Sequence, residues 1–261
     1  MTTIRLALFL CDTPIPKVIA QDGDYTVIFG ELWRKSFPKD QTSVKYEMDS
    51  YDVRNKLEYP EDIDKYDGIV YTGSAASAYE NVEWINKLVE YTAKIAGEKP
   101  HIKLIGICFG HQIIARALGE ECVPNGGKWE IGPTTLQLTN VGKELFGVES
   151  LNIQQMHRDH VPNVPKSCLL LGSTSTSTNQ GFIRYAPDAP ASNPSLSDIQ
   201  IFTVQGHPEF TERIVSAVVE ARTATGVIDA ATAEDVQRRA KWRNDGVDVI
   251  AKAVWKIFGV N

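Results

Sequence analysis

LIGICFGHQ, from Leu104 to Gln112, is the stretch on which the reading of this chain turns. Leu104, Ile105 and Ile107 make a short apolar run of the kind that forms a buried strand, and the residues behind Gly110 carry helical spacing. A strand is therefore expected over Lys103–Ile107 and a helix over Gly110–Leu118, joined by the turn Gly106-x-Cys108-x-Gly110. That is the layout of a nucleophile elbow. Such a sharp turn holds its central residue in unfavourable backbone, and small neighbours make room for it. The Cys108 thiol would then stand at the C-terminal edge of the sheet, where open α/β folds carry their sites. The helix N-terminus beneath it favours the thiolate, which is the reactive form.

Working outward, the same alternation continues on the N-terminal side. Ile4–Cys11 (IRLALFLC) is a short apolar run bounded by Asp12, Pro14 and Pro16, as a buried parallel strand should be. Asp24–Phe37 places Val27, Ile28, Leu32 and Trp33 at helical spacing and stops at Pro38. Val44–Met48 and Tyr66–Thr72 read as strands, and Val82–Ala96 as an amphipathic helix through Ile85, Leu88, Val89 and Tyr91. Strand and helix in alternation imply an α/β fold with an open, mostly parallel sheet flanked by helices. Beyond Gly119, turn signals at Pro124–Gly127, Gly132-Pro133 and Asn140 suggest a small β-rich insertion of short strands reaching about Ser173. The polar run Ser173–Gln180 (STSTSTNQ) reads as strand or loop, and residues 186–198 as an exposed loop. Ile199–Val204 is a further strand, with helices over Glu212–Arg222 and Asn244–Phe258. The expected organisation is one α/β domain over residues 1–225, with 226–261 as a C-terminal helical extension packed on it.

Composition bounds the function from outside. The 261 residues hold 27 Lys plus Arg against 33 Asp plus Glu, a net charge of −6, with 43% hydrophobic and 23% charged residues. Those fractions suit an ordinary folded chain. The acidic balance argues against a nucleic-acid partner, which is bound through cationic contacts to phosphates. No apolar run approaches the roughly 20 residues that span a bilayer, and Leu6–Cys11 is too short for a secretory leader. A cytoplasmic protein with no membrane association is expected. The cysteines, Cys11, Cys108, Cys122 and Cys168, form no CxxC pair, and no histidines stand as HxxxH or HExxH, so neither a metal nor another cofactor is expected. Away from the elbow, cysteine is read as a small buried apolar residue.

A second signal follows the last strand. In VQGHPEF, Val204–Phe210, Pro208 keeps His207 extended. Residues two apart on extended chain face one side, so Glu209 can reach the His207 ring. A base with its orienter is what a thiol nucleophile needs.

GICFGHQ together with QGHPEF resembles the class I glutamine amidotransferase family, whose triad is Cys-His-Glu. The likeness runs over nearly the whole chain. TGS at Thr72–Ser74 matches the family's oxyanion loop, while GKWEIG (Gly127–Gly132) and HRDHV (His157–Val161) fall where similar proteins carry related motifs. Within the family the chain is most similar to stand-alone members such as plant γ-glutamyl peptidases and fungal amidotransferase-like proteins. The resemblance implies a flavodoxin-like sheet and a triad of Cys108, His207 and Glu209. It also implies an oxyanion hole from the backbone of Gly73, Ser74 and Phe109, with Gln112 positioning a γ-glutamyl group. Trp129 and Glu130 are expected at the pocket wall and the substrate's α-ammonium, with His157 and Asp159 approaching the site. Asp12 is expected on the leaving-group side. Three loop segments, residues 12–23, 74–81 and 186–198, are expected around the pocket entrance. His111 and His160 read as packing or surface residues.

The implied reaction is hydrolysis of a γ-glutamyl amide through a Cys108 thioester. No SGGxDS loop or Walker-type GxxxxGK[ST] accompanies the triad motifs, which favours a self-contained hydrolase acting on a small γ-glutamyl molecule. The alternatives are a glutaminase subunit feeding ammonia to a separate synthetase partner and a catalytically silent regulatory member. A cysteine-dependent protease of the same superfold is a more distant reading. The net charge of −6 offers no attraction for an anionic γ-glutamyl substrate, so recognition of it must be local.

Overall fold

The apolar run that opens the chain becomes β1 (Thr2–Leu10), in which Leu6, Ala7, Leu8 and Phe9 are all buried. Burial of consecutive residues, rather than alternate ones, marks a parallel strand covered on both faces. The computed structural model describes residues 2–260. The remaining strands are β2 (Val44–Asp52), β3 (Gly68–Tyr71), β4 (Lys103–Ile107), β5 (Val123–Pro124), β6 (Glu130–Leu138), β7 (Ser150–His157), β8 (Asp159–His160), β9 (Leu169–Leu170), β10 (Gly172–Ser173), β11 (Phe182–Tyr185) and β12 (Ile199–Val204). The helices are α1 (Pro16–Asp22), α2 (Tyr25–Ser36), α3 (Glu83–Glu98), α4 (Phe109–Ala117), α5 (Asn140–Phe146), α6 (Glu212–Ala224), α7 (Ala230–Arg239) and α8 (Lys252–Ile257), the last entered through a π-helical turn at Gly246–Ala251.

The main sheet has the order β2-β1-β3-β4-β12-β11-β9. Its first five strands run parallel, and β11 and β9 close the far edge antiparallel. One face packs against α2, α6 and α8, the other against α3 and α4. The register sets Leu104 opposite Ile201 and Ile107 opposite Val204, so β4 and β12 end level. That alignment brings the two site-bearing segments side by side.

Capping and proline punctuate these elements as the side chains require. Asp24 caps α2 by accepting from the Val27 amide at 3.0 Å, and Phe37 is extended ahead of Pro38. The buried stripe of α2 is Tyr25, Ile28, Phe29, Leu32, Trp33 and Ser36; Val27, expected on it, is 51% exposed. Trp255 of α8 lies edge-on to Trp33 at 5.6 Å and donates its indole N–H to Ser36 Oγ at 3.0 Å. Burial of one large apolar side chain stabilises by about 1.5–3 kcal/mol, so this cluster fixes the C-terminal segment against α2.

Four expectations change. Residues 16–22 form α1, not open loop: Pro16 sits at its first turn, where the missing N–H costs nothing. In the insertion, β6 and β7 are long and pair antiparallel from Glu130–His157 to Gln137–Ser150. Between them Asn140 opens α5 instead of a turn, because the Thr139 hydroxyl accepts from the Gly142 amide at 3.1 Å. Third, Asn244–Phe258 is divided between the π-helical turn and α8. Finally, residues 186–198 enter β12 at the end away from Val204, where Lys103 donates to Ser197 O, so this loop stands far from the pocket entrance. Among the described residues, no helix is long and apolar enough to cross a membrane.

Candidate active site

Because β4 and β12 end level, the Cys108 amide donates to Val204 O at 2.9 Å, and the elbow sits beside the chain leaving β12. Cys108 itself has φ 51° and ψ −102°, a conformation that costs an ordinary residue about 1–3 kcal/mol. Neither Gly106 nor Gly110 lies at positive φ. Their small size serves close approach instead: a Cβ on Gly110 would come within 2.5 Å of Tyr71 Cβ, and one on Gly106 within 2.8 Å of the Gly110 backbone. The cysteine bears the strain while the glycines seat α4 against the sheet.

His207 is held from several sides. Its amide donates to Gln154 O of β7 at 2.8 Å, a bridge from the β-rich insertion. Its ring stacks on Phe210 with centroids 4.0 Å apart and planes 9° apart. The Nδ1–H donates to Glu209 Oε1 at 2.7 Å, and the ring lies within hydrogen-bonding reach of the Cys108 sulfur. Cys108, His207 and Glu209 are all buried. Burial opposes a charged imidazole, but the negative charges of Cys108 and Glu209 outweigh it and push His207 up to about 10.

The loop after β3 closes the site. A Cβ on Gly73 would stand 2.7 Å from His207 Cε1 and 3.7 Å from Cys108 Cβ, so only glycine lets this backbone approach both. The amides of Gly73, Ser74 and Phe109 donate to no protein acceptor among the described residues. Asp12 fixes the loop: its carboxylate accepts from the Ala75 amide at 2.6 Å and from Ser74 Oγ at 3.4 Å, while pairing with Arg54. Arg54 in turn covers Trp84, which stacks on Phe109 at 5.3 Å. Asp12 therefore anchors the loop as well as lining a cavity.

Two cavities meet here. One is lined by Cys108, Gln112, Trp129, His157 and Asp159. The other, which is larger, lies on the His207 side between α1, Tyr25 and α6. Ser74, Ala75, Met156 and Arg222 belong to both walls. Gln112 Nε2 donates to Asp159 O at 3.1 Å and to Gln205 Oε1 at 3.2 Å. Asp159 Oδ2 accepts from Ser77 Oγ at 2.6 Å, and its Oδ1 is buried without a partner among the described residues. Trp129 stands between two guanidinium groups, Arg158 at 5.7 Å and Arg222 at 5.1 Å from its ring centroid.

Glu130 is not brought to the cavity wall. Its Oε1 accepts from Thr174 Oγ1 and its Oε2 from Gln180 Nε2, both at 2.6 Å, and the His157 ring lies 3.0 Å from Oε2. Burial works to raise this carboxyl, but His157 and Thr174 hold it below the usual range. With its lone pairs taken, Glu130 holds the polar run 173–180 to the insertion. Among the described residues, the buried carboxylate oxygen left without a partner at the cavity is that of Asp159. His111 is a packing residue: burial pulls it down to about 3, and its Nδ1 meets Thr203 Oγ1 at 2.9 Å. Away from the elbow, burial pushes the Cys11 thiol up to about 12 and Cys168 to about 11. Among the described residues, no three His, Cys, Asp or Glu side chains converge as metal ligands.

Sequence reasoning missed three side chains. Gln205 donates to Cys108 Sγ at 3.6 Å, and it could have been found, since it stands two before His207 on extended chain. Tyr25 lines the larger cavity, and burial together with the charges of Glu209 and Asp12 pushes its phenol well above its usual range. Arg222 makes no side-chain hydrogen bond or ion pair among the described residues, and burial lowers its guanidinium. Nothing local in the sequence separates Arg222 from Arg213, the other cation of α6.

The relatives agree with this architecture. Residues 39–219 match the family described as glutamine amidotransferase class-I. A glutamine amidotransferase-like protein of Schizosaccharomyces pombe is 34% identical over 257 residues, covering 97% of this chain and 98% of its own. Gamma-glutamyl peptidase 3 of Arabidopsis thaliana is 34% identical over 166 residues, 61% of each chain. A glutamine amidotransferase of Thermotoga maritima superposes with a TM-score of 0.69 at 19% identity, covering 97% of both chains, a likeness of fold. The chain belongs to the class I glutamine amidotransferase family.

Proposed function

We propose that this chain is a cysteine-dependent hydrolase of γ-glutamyl amides that works without a partner. The observation carrying the proposal is the buried Cys108–His207–Glu209 arrangement, with Nδ1 of His207 committed to Glu209 at 2.7 Å and the Cys108 side chain opening on a cavity. With Nδ1 so fixed, Nε2 is the nitrogen left to exchange a proton with the sulfur.

The thiolate adds to the γ-carbonyl carbon, and the oxyanion is held by the amides of Phe109 and the Gly73-Ser74 loop. Losing one such donor costs about 3 kcal/mol of transition-state stabilisation. As the carbonyl re-forms, the C–N bond breaks and His207 delivers its proton to the departing nitrogen. Water then attacks the thioester, giving a proton to His207, and glutamate leaves as the thiolate is regenerated. Gln205 and Gln112 orient the sulfur and the loop of Asp159. The free Oδ1 of Asp159 suits the α-ammonium of the glutamyl group, and Arg222, stacked on Trp129, suits a carboxylate of the substrate.

The test is release of glutamate from γ-glutamyl dipeptides, glutathione and glutamine by the purified protein alone, in the presence of a chelator. Glutamate appears without any added protein if the reading holds. Turnover of glutamine only on addition of a synthetase would assign the chain to ammonia supply, and no turnover at all would leave a silent member of the fold.

A further inference from the structure

Cys108 lines only the smaller of the two cavities, and the lining of the larger indicates what it holds. Beside His207 and Phe210 it is walled by Ile15, Val18, Tyr25, Ile214 and Val218. Val18 comes from α1, Tyr25 from α2, and Ile214 and Val218 from α6, with Ile15 just ahead of α1. Ile15, Val18, Ile214 and Val218 have only carbon in their side chains. The cavity's polar groups, Asp12, Thr13, Ser74 and Arg222, share the wall with these, while Gln112, His157 and Asp159 line the Cys108 side.

Acyl-transfer chemistry fixes which part of a substrate lies where. The acyl carbon must reach Cys108 Sγ, and the leaving nitrogen must lie against the imidazole that protonates it. The His207-side cavity is therefore the one the leaving amine enters. Ammonia, a single heavy atom that prefers water, has no use for a recess walled by Ile15, Val18, Phe210, Ile214 and Val218. On the hydrolase reading above, we infer that this cavity is a specificity subsite for the leaving group, and that the favoured substrates are γ-glutamyl amides whose amine carries a bulky apolar side chain. The bond broken is the γ-glutamyl C–N bond. Its carbon passes to Cys108 Sγ and then to water, and its nitrogen leaves as a neutral amine with the proton from His207.

The preference has a predictable size. Moving an aliphatic side chain of leucine size from water into an apolar pocket favours the complex by about 10- to 100-fold. The experiment compares kcat/KM for γ-glutamyl-glycine, γ-glutamyl-leucine, γ-glutamyl-phenylalanine and glutamine on the unmodified protein. The leucine and phenylalanine compounds should exceed the glycine compound by about tenfold or more, with glutamine lowest. Ile15→Ser and Val218→Asp should each collapse the leucine-to-glycine ratio towards one. Ile15 precedes its helix and is only partly buried, so its variant is expected to fold even if the helix variant does not. Equal kcat/KM across the series, or a ratio untouched by Ile15→Ser, would overturn the subsite while leaving γ-glutamyl hydrolysis standing. If glutamate comes from none of the compounds, the hydrolase reading falls and this inference with it.

Discussion

Two buried histidine–carboxylate pairs stand in this molecule, one on the chain leaving β12 and one across the paired strands β6 and β7. In one, His207 meets Glu209 at 2.7 Å; in the other, His157 meets Glu130 at 3.0 Å. Both are nearly inaccessible to solvent, and burial disfavours charge in both. What differs is the company. Glu130 spends its remaining lone pairs on Thr174 and Gln180, whereas Glu209 Oε2 has no partner among the described residues. Across the ring, His207 meets the Cys108 sulfur, while the other nitrogen of His157 meets Asp159 O at 3.0 Å. A saturated pair ties loops together; an unsaturated one facing a thiol can move a proton. Identity of the pair does not decide its role, but the third group does.

Breaking each pair in turn sharpens that contrast. The largest effect should come from His207→Ala, which removes the proton carrier and lowers kcat/KM by about 10⁴ or more in a glutamate-release assay. Glu209→Gln should lower kcat by about 10²–10⁴ and should also move the pH profile. In the unmodified protein, His207 stays protonated until pH rises through about 10, so the alkaline limb of kcat/KM lies there. Glu209→Gln removes one of the two charges that raise His207, and the limb should move to lower pH. Arg222→Ala, which touches neither pair, should raise KM by about 10- to 100-fold with kcat changed far less, since a charge-assisted hydrogen bond contributes about 1.5–3 kcal/mol. The smallest change in turnover is expected from Glu130→Gln, with kcat/KM within about threefold. Its effect should appear in urea unfolding as a loss of about 1–3 kcal/mol, the cost of a buried polar network left partly unmade. A large catalytic loss in Glu130→Gln with unchanged stability would break the comparison.

How much of this was legible in the sequence divides along the same line. β4 and β12 match their expected ranges residue for residue, because each is a short apolar run with sharp boundaries. Cys108, His207 and Glu209 are adjacent in the structure, as an elbow and a His-x-Glu segment on parallel strands of equal reach require. Glu130 looked equally suited to the pocket, yet which way it faces depends on the polar run 173–180, some 50 residues away, folding back onto it. Arg222 was invisible for a similar reason: what singles it out is the absence of a partner, and pairing is a tertiary fact. α1 and α5 are seven residues each, too short for helical periodicity to register.

The central claim is a covalent one, that the γ-glutamyl group passes through Cys108. Acid quenching of the protein during turnover of a γ-glutamyl dipeptide, followed by peptide mass spectrometry, tests it directly. The account expects a hydroxylamine-sensitive adduct of one glutamyl residue on the peptide bearing Cys108, absent in Cys108→Ala, which should fold but not turn over. Sustained turnover by Cys108→Ala, or an adduct on Cys11, Cys122 or Cys168 instead, would contradict it.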